Sequence, residues 1–408
     1  MNIFSKQMLM AIKESENPRF SPVACASETT WYIDNNGDLY GCGYNYYGQQ
    51  GSGSTSNAIT TFTKRASNVA QIACSGYTTW YIDNSDDLYG CGFGSNGEQG
   101  SGSTSSVTTF TKRASNVTQI ACSGNTTWYV TDNGELYGCG YNDNGQQGSG
   151  YTTNVLTFTK RASNVAQIAC SGNTTWYIDN NGDLYGCGMG TSGQQGSGST
   201  SDVTTFTKRA SNVAQIACSE NTTWYIDNNG ELYGCGYSYY GQQGISSQSN
   251  VTTFTKRAEN ISQIACSYQT TWYVTNNGDL YGCGYNGDGQ QGSGNTTNVK
   301  TFTKRAENIS QIACSYYTTW YLDNNGDLYG CGSGARGQQG SGSASDVTTF
   351  TKRASNVAQI ACSGNTTWYI DNNGDLYGCG MGTSGQQGSG SASNVTTFTK
   401  RASNVKIK

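Results

Sequence analysis

The chain of 408 residues contains no histidine, two prolines and 12 % charged residues, and nowhere does it carry an apolar run long enough to span a membrane as a helix. Without histidine, Ser-His-Asp and Cys-His nucleophile systems are excluded, and zinc loses its commonest ligand. Cysteine does not replace it, because Cys-x-x-Cys and comparable close spacings are absent; no metal and no cofactor is expected. Segments such as DNNGD place Gly182 fourth counting from Asp179, whereas an EF-hand needs glycine sixth and a late glutamate, so they read as turns. Carboxylate pairs recurring along the whole chain would make many equivalent sites rather than one asymmetric acid–base constellation, so the protein is expected not to be an enzyme. A net charge of −4 and a pI near 5 offer no general attraction to nucleic acid or anionic lipid.

What the chain has in quantity is glycine (55), tyrosine (29) and much threonine, serine and asparagine, a composition of short strands joined by tight turns. Tryptophan supplies a ruler. Trp31, Trp80, Trp128, Trp176, Trp224, Trp272, Trp320 and Trp368 are separated by one step of 49 and six of 48 residues, which marks an array of eight repeats. In the unit Asn116 to Ser163, four runs rich in β-branched and aromatic residues appear: VTQIACS, TTWYV, ELYGCGY and LTFTKRA. Between the second and third lies Asp132-Asn133-Gly134-Glu135, a hairpin signal whose two central residues are expected at positive φ. The runs do not alternate cleanly between apolar and polar residues, so both faces of the sheet are covered.

A four-stranded sheet covered on both faces by copies of itself is a propeller blade, and closure into a ring protects its edges. The expected fold is all-β, a closed β-propeller of eight four-stranded antiparallel blades spanning 23–408. A seven-bladed ring with an extra unit is the disfavoured alternative. The tail from Asn404 begins a ninth first strand, and the segment Phe20 to Val23 holds the same place at the other end, so the termini are expected to meet in one blade. Residues 1–22 form a separate amino-terminal segment in which Phe4, Met8 and Ile12 recur at helical spacing. A short amphipathic helix lying outside the ring is expected there, with a docking peptide as the alternative.

The sixteen cysteines come two per unit, for example Cys122 and Cys139. They fall on the first and third strands, about 9.5 Å apart, beyond the roughly 7 Å that a disulfide tolerates. Reduced, buried thiols are expected, and with no secretory signal in the first twenty residues a cytoplasmic location follows as an expectation.

The pattern IACSGNTTWYVTDNGELYGCGYNDNGQQGSG resembles the repeat of the regulator of chromosome condensation family. In that repeat V-x-V-A-C-G-x-x-H-T leads through an aliphatic strand and a turn to V-Y-x-W-G, then to G-x-N-x-x-G-Q-L-G-x-G. The resemblance covers residues 23–403, is strongest in the glycine-rich segment, and implies a propeller, usually of seven blades. This chain departs from the pattern by lacking histidine, by placing cysteine where the family often has its second tryptophan, and by having eight repeats. In the resembled family, guanine-nucleotide exchange on a small GTPase depends on an insertion in one blade, and even spacing leaves no room for one. Exchange and chromatin binding are therefore the disfavoured functions. Relatives that inhibit enzymes by presenting aromatic loops are the closer analogy, made at the level of fold.

Differences among the eight copies gather in two loops. After YGCG the tetrads are YNYY, FGSN, YNDN, MGTS, YSYY, YNGD, SGAR and MGTS; the second variable place follows the first strand. In an up-down-up-down blade both loops emerge on one rim. The candidate partner-binding residues are Tyr44, Tyr46, Tyr47, Tyr77, Phe93, Tyr141, Met189, Tyr237, Tyr239, Tyr240, Tyr268, Tyr285, Tyr316, Tyr317, Arg336 and Met381. The two loops' content of Tyr, Ser, Gly and Asn, with Arg336 once, resembles that of a paratope. The expected function is a non-enzymatic scaffold, a monomeric ring that docks a protein partner on this rim; the alternative is a lectin with several equivalent glycan sites between blades. The opposite rim is nearly uniform. It repeats acidic turns beside Lys-Arg pairs, which hold 16 of the 23 basic residues and read as a charge-compensated lattice rather than a phosphate ring.

Overall fold

The computed structural model describes residues 11–12, 22–26, 28–55, 58–267 and 269–407. Within them stand eight sheets in which four consecutive strands pair antiparallel in chain order. Blade one comprises Val23–Cys25, Thr29–Ile33, Leu39–Gly43 and Ile59–Ala66. Blade two comprises Val69–Cys74, Thr78–Asp83, Leu88–Gly92 and Val107–Ala114. The four runs read from the third unit are strands Val117–Ser123, Thr126–Thr131, Leu136–Gly140 and Val155–Ala162.

Each first strand touches the first strands of both neighbouring blades, so the first strands form the inner wall of a closed ring and the fourth strands its circumference. The stiff, branched second strand drives the packing between blades. Consecutive Trp31 and Tyr32 point to opposite faces, as a two-residue period requires. Trp31, Ile33 and Leu39 of blade one meet Val69, Ile72, Cys74 and Tyr81 of blade two, and the same cluster recurs at all eight junctions. Phe110 on the fourth strand of blade two joins the two, 5.9 Å from Trp31 and 4.9 Å from Tyr81 between ring centroids. Glycine in YGCG is demanded by this packing: a Cβ on Gly138 would fall 2.3 Å from the Trp128 ring.

The second cysteine of each unit is also spoken for. The Cys42 thiol donates to the Gln386 carbonyl of the preceding blade at 3.4 Å, and the same bond recurs around the ring. All sixteen cysteines are free thiols. Burial pushes the Cys25 thiol up to about 12, well out of the range where it would ionise.

The hairpin between second and third strands differs from the expected two-residue turn. Gly134 has φ +72° while Asn133 stays at negative φ, and Thr131 N–H bonds to the Glu135 carbonyl as well as Gly134 N–H to Thr131 C=O. This is a three-residue loop, a turn followed by one left-handed residue, for which a single glycine suffices.

The termini do meet in one blade. Val405 pairs with Asp34, the place that Val69 takes opposite Asp83 in blade two, while Val23, Ala24 and Cys25 pair with Tyr32, Trp31 and Thr30. The first strand of blade one is therefore composite, begun by the carboxyl end and finished by the amino end. Ala11–Ile12 are extended and pair antiparallel with the first strand of blade six, Ile261–Cys266. The remainder of the expected amino-terminal helix, including Phe4 and Met8, lies outside the described residues. No helix among the described residues is long and apolar enough to cross a membrane.

Candidate binding rim

The two variable loops lie together because each third-to-fourth loop leans across the blade boundary onto the next first-to-second loop. Gln146 Nε2 donates to Asn173 Oδ1 at 3.4 Å, Gln49 Nε2 to the Gly76 carbonyl at 3.5 Å, and Tyr47 packs 5.1 Å from Tyr77. The loops are latched a second time farther out. Gly53, at φ +82°, donates its N–H to the Thr108 carbonyl at 2.8 Å, and Ser52 pairs with Thr109 on the outer strand of blade two.

Within each tetrad the four positions have different fates. The second is buried in every copy. Where it is Asn, as Asn142, its side chain bonds Ser149 and the Tyr151 and Thr153 carbonyls and accepts from Gln147 N–H, which holds the loop. Where it is Gly, as Gly190, a Cβ would stand 1.9 Å from the Ser201 carbonyl. In blade five it is Ser238, also buried, whose hydroxyl donates to the Ser247 carbonyl; variation there chooses among three ways of packing one loop and presents nothing to solvent. The third position is exposed in every copy, joined by the fourth at Arg336, and it carries Tyr46 at 61 % and Tyr239 at 51 % exposure.

Aromatic side chains collect at two places. In the first, Tyr44, Tyr46 and Tyr47 of blade one pack edge-on and stacked with Tyr77 and Phe93 of blade two, at centroid distances from 4.8 to 6.2 Å. In the second, Tyr237, Tyr239 and Tyr240 of blade five join Tyr285 of blade six at 5.0 to 6.3 Å. Blade five comprises Val213–Cys218, Thr222–Asp227, Leu232–Gly236 and Val251–Ala258; it stands four blades from blade one, half a turn around the ring. Tyr316 and Tyr317 of blade seven pair with each other at 4.4 Å. Tyr141 donates instead to Asp143, at 2.9 Å, while Met189, Met381 and exposed Arg336 lie outside these clusters. Tyr268 lies outside the described residues.

Each region has an acid at its edge. Burial raises the Glu28 carboxyl above its ordinary value, and the Tyr44 and Tyr77 hydroxyls feel its charge. Burial, and then the charge of Asp346, raises Asp288 beside Tyr285 and Tyr317.

The opposite rim has another chemistry. Lys64 Nζ meets Asp38 at 2.6 Å, Ser67 donates to the same carboxylate, and every unit repeats the lysine–carboxylate pair. The Lys-Arg pairs thus have compensated lysines, and each arginine is half-buried between blades, its ionisation disfavoured by desolvation, as at Arg65.

The repeat, the ring and the glycine-rich latch converge on a known domain: residues 109–407 match the family model described as the RCC1-like domain. The chain belongs to the RCC1-like family. No curated protein matches it by sequence. Among solved structures, human WBSCR16 superposes with a TM-score of 0.64 at 18 % identity, covering 80 % of this chain and 96 % of that one. Prp20p from Saccharomyces cerevisiae, described together with its binding to Gsp1p and histones, gives 0.63 at 18 %, covering 87 % and 91 %. Yeast RCC1 (Prp20) bound to Kap60 gives 0.63 at 19 %, covering 78 % and 83 %. At these identities the likeness is one of fold.

Several residues of this RCC1-like rim escaped the reading of the two loops. Tyr151, 73 % exposed, and Leu156 of blade three stand where other units have Ser, Thr or Asn, and Lys300 of blade six replaces a threonine. Glu98 replaces the first Gln of GQQG and is fully buried, accepting from Asn96 N–H at 2.9 Å; burial raises its carboxyl. The signal for all four was present, since each breaks the unit-to-unit identity outside the tetrads.

Proposed function

We propose that this chain is a non-enzymatic docking ring whose variable rim binds a protein partner. The observation that carries the reading is the pair of aromatic clusters half a turn apart on one rim, with tyrosine at third and fourth tetrad positions where the other copies carry Ser, Thr, Gly, Ala, Asn, Asp or Arg. Each cluster leaves one tyrosine, Tyr46 or Tyr239, with half its surface in water above partly exposed neighbours, and such apolar patches are uncommon without a partner. Tyrosine also supplies large contact area with few rotatable bonds, which favours it at interfaces. Yeast Prp20p, a structural relative, has been studied bound to Kap60 and for binding to Gsp1p and histones, and by analogy protein is the class of partner proposed here.

The test replaces Tyr46, Tyr47, Tyr239 and Tyr240 by serine and measures retention of a binding protein together with the molar ratio of the complex. One partner per ring, lost in the variant, supports the reading. Several weak equivalent sites that bind glycan would replace it with the lectin alternative.

A further inference from the structure

Seven of the eight junctions carry the same outer latch. At each, a glycine near φ +80° donates its N–H to the outer strand of the next blade, and the preceding serine pairs with that strand's third residue: Ser52 with Thr109, Ser101 with Thr157, Ser149 with Thr205, and so on to Ser389 with Thr61. The junction from blade five to blade six breaks the pattern. There Ser-Gly becomes Ile245-Ser246, Ser246 does not take a positive φ, and among the described residues neither the bridge nor the N–H bond is made. A residue with a Cβ resists the left-handed turn that the latch needs. The loop keeps the contact within its own blade that latched loops also make, Ser238 Oγ donating to the Ser247 carbonyl at 3.3 Å as Asn45 Nδ2 does to that of Ser54, and adds a bond from Gln248 Nε2 to the Tyr239 carbonyl at 3.0 Å.

The outer strand of blade six, Val299–Ala306, therefore lacks the latch's bridge and N–H bond at Lys300–Thr301 among the described residues. Lys300 is exposed where most other units have a half-buried threonine, and it makes no ion pair among the described residues, unlike the lysine of each Lys-Arg pair. The loop that carries the second aromatic cluster stands beside this edge, as the equivalent loop does at the other junctions: a Cβ on Gly241, next to Tyr240, would stand 2.5 Å from the Lys300 Cα, as one on Gly48 would stand 2.7 Å from the Thr108 Cα. A missing latch, an uncompensated cation and a tyrosine cluster thus occur together at one junction of eight.

We propose that the outer edge of blade six is a strand-addition site for an extended, acidic segment of the partner protein. The added strand takes the place of the missing latch, one of its N–H groups donating to the Lys300 carbonyl as Gly53 donates to Thr108. Its alternate side chains then face Tyr239 and Tyr240, and its carboxylates face the Lys300 ammonium. This deepens the docking reading above and rests on it for the partner's class.

The probe is a fluorescein-labelled nonapeptide of alternating glutamate and valine, titrated with the full chain and followed by anisotropy. Saturable, salt-weakened binding is expected, with the lysine–valine counterpart binding at least about tenfold more weakly. Restoring the latch with Ile245→Ser and Ser246→Gly, the residues present at the other junctions, should reduce affinity by about tenfold, and so should methylating alternate backbone nitrogens of the peptide. Unchanged binding to the latched variant, equal binding of the lysine peptide, or no binding of the acidic peptide would each overturn strand addition. None of these touches the Tyr→Ser result, so the broader reading stands or falls separately.

Discussion

The two rims of this ring are made from the same eight units, yet selection of residues has treated them differently. On one, the second-to-third turns and the strand-to-strand connections repeat almost without change, and the repeated residues serve the fold: Asp34 accepts from Asn36 and Asp38 N–H, Asp38 pairs with Lys64, and Asn68 holds a φ of +63° between blades. On the other, the backbone scaffold is kept by the buried Asn, Gly or Ser and by the Gln-Gln pair, which is Glu-Gln in blade two, while the third tetrad position passes from Tyr to Ser, Asp, Thr, Gly or Ala. The difference teaches that sameness between copies reports what closes the ring, while departure from sameness divides into buried exchanges that pack a loop, as at Asn142, Gly190 and Ser238, and exposed ones, as at Tyr46 and Tyr239.

The largest break should come from the uniform side, at the seam. Deleting residues 404–408 removes fully buried Val405 and three backbone bonds, to Gly374, Asn35 and Ile33. Loss of about 3–5 kcal/mol in urea unfolding is expected, with the rim loops otherwise unchanged. Next in size, the four Tyr→Ser changes on the variable side should weaken partner binding by roughly 30-fold or more while leaving stability within about 1 kcal/mol. A stability loss like that of the seam deletion would show that the tyrosines serve the fold.

A smaller effect tests the buried exception on the variable rim. Glu98→Gln restores the residue of the other units, and should stabilise the protein at neutral pH by about 1 kcal/mol. Because burial raises the folded-state value of Glu98, its carboxyl favours the folded state below the ordinary glutamate range and that contribution is lost as pH rises through the raised value. The gain from the substitution should accordingly fade as the pH falls below the ordinary range.

The smallest effect is expected from one lattice pair. Asp38→Asn should give no resolvable shift of the urea midpoint, since a single exposed pair contributes little. The whole set behaves in the opposite sense to Glu98. Lysine partners lower the carboxylates at Asp38, Asp87, Glu135, Asp183, Glu231, Asp327 and Asp375, so their contribution is present above the ordinary carboxylate range and is lost as pH falls through the lowered values. Acid titration by circular dichroism, with and without 1 M salt as a roughly full screen, checks this.

Blade count, strand order and the common rim were legible in the sequence because each unit repeats the same period-two aromatic pair and the same turn residues, and a repeat multiplies a weak local signal eightfold. The seam was legible for the same reason: NVKIK is a visible fragment of NVAQI. The turn geometry was not, since one left-handed glycine and two left-handed residues leave the same Asn-Gly in the sequence. Nor was the division of the tetrads, because the burial of Asn142 or Gly190 depends on a loop that returns nine to twelve residues later. The unlatched junction lay in plain view as Ile245-Ser246, but its meaning needed the partner strand, Val299–Ala306, which is more than fifty residues away in the chain.

The most direct test of the account compares protein retained by three immobilised rings: the wild type, the Tyr46, Tyr47, Tyr239 and Tyr240→Ser variant, and a variant with Lys64, Lys112, Lys256 and Lys304 changed to Gln on the uniform rim. The account predicts that one partner is held by the wild type and the lysine variant and released by the tyrosine variant. Release by the lysine variant with retention by the tyrosine variant would contradict it.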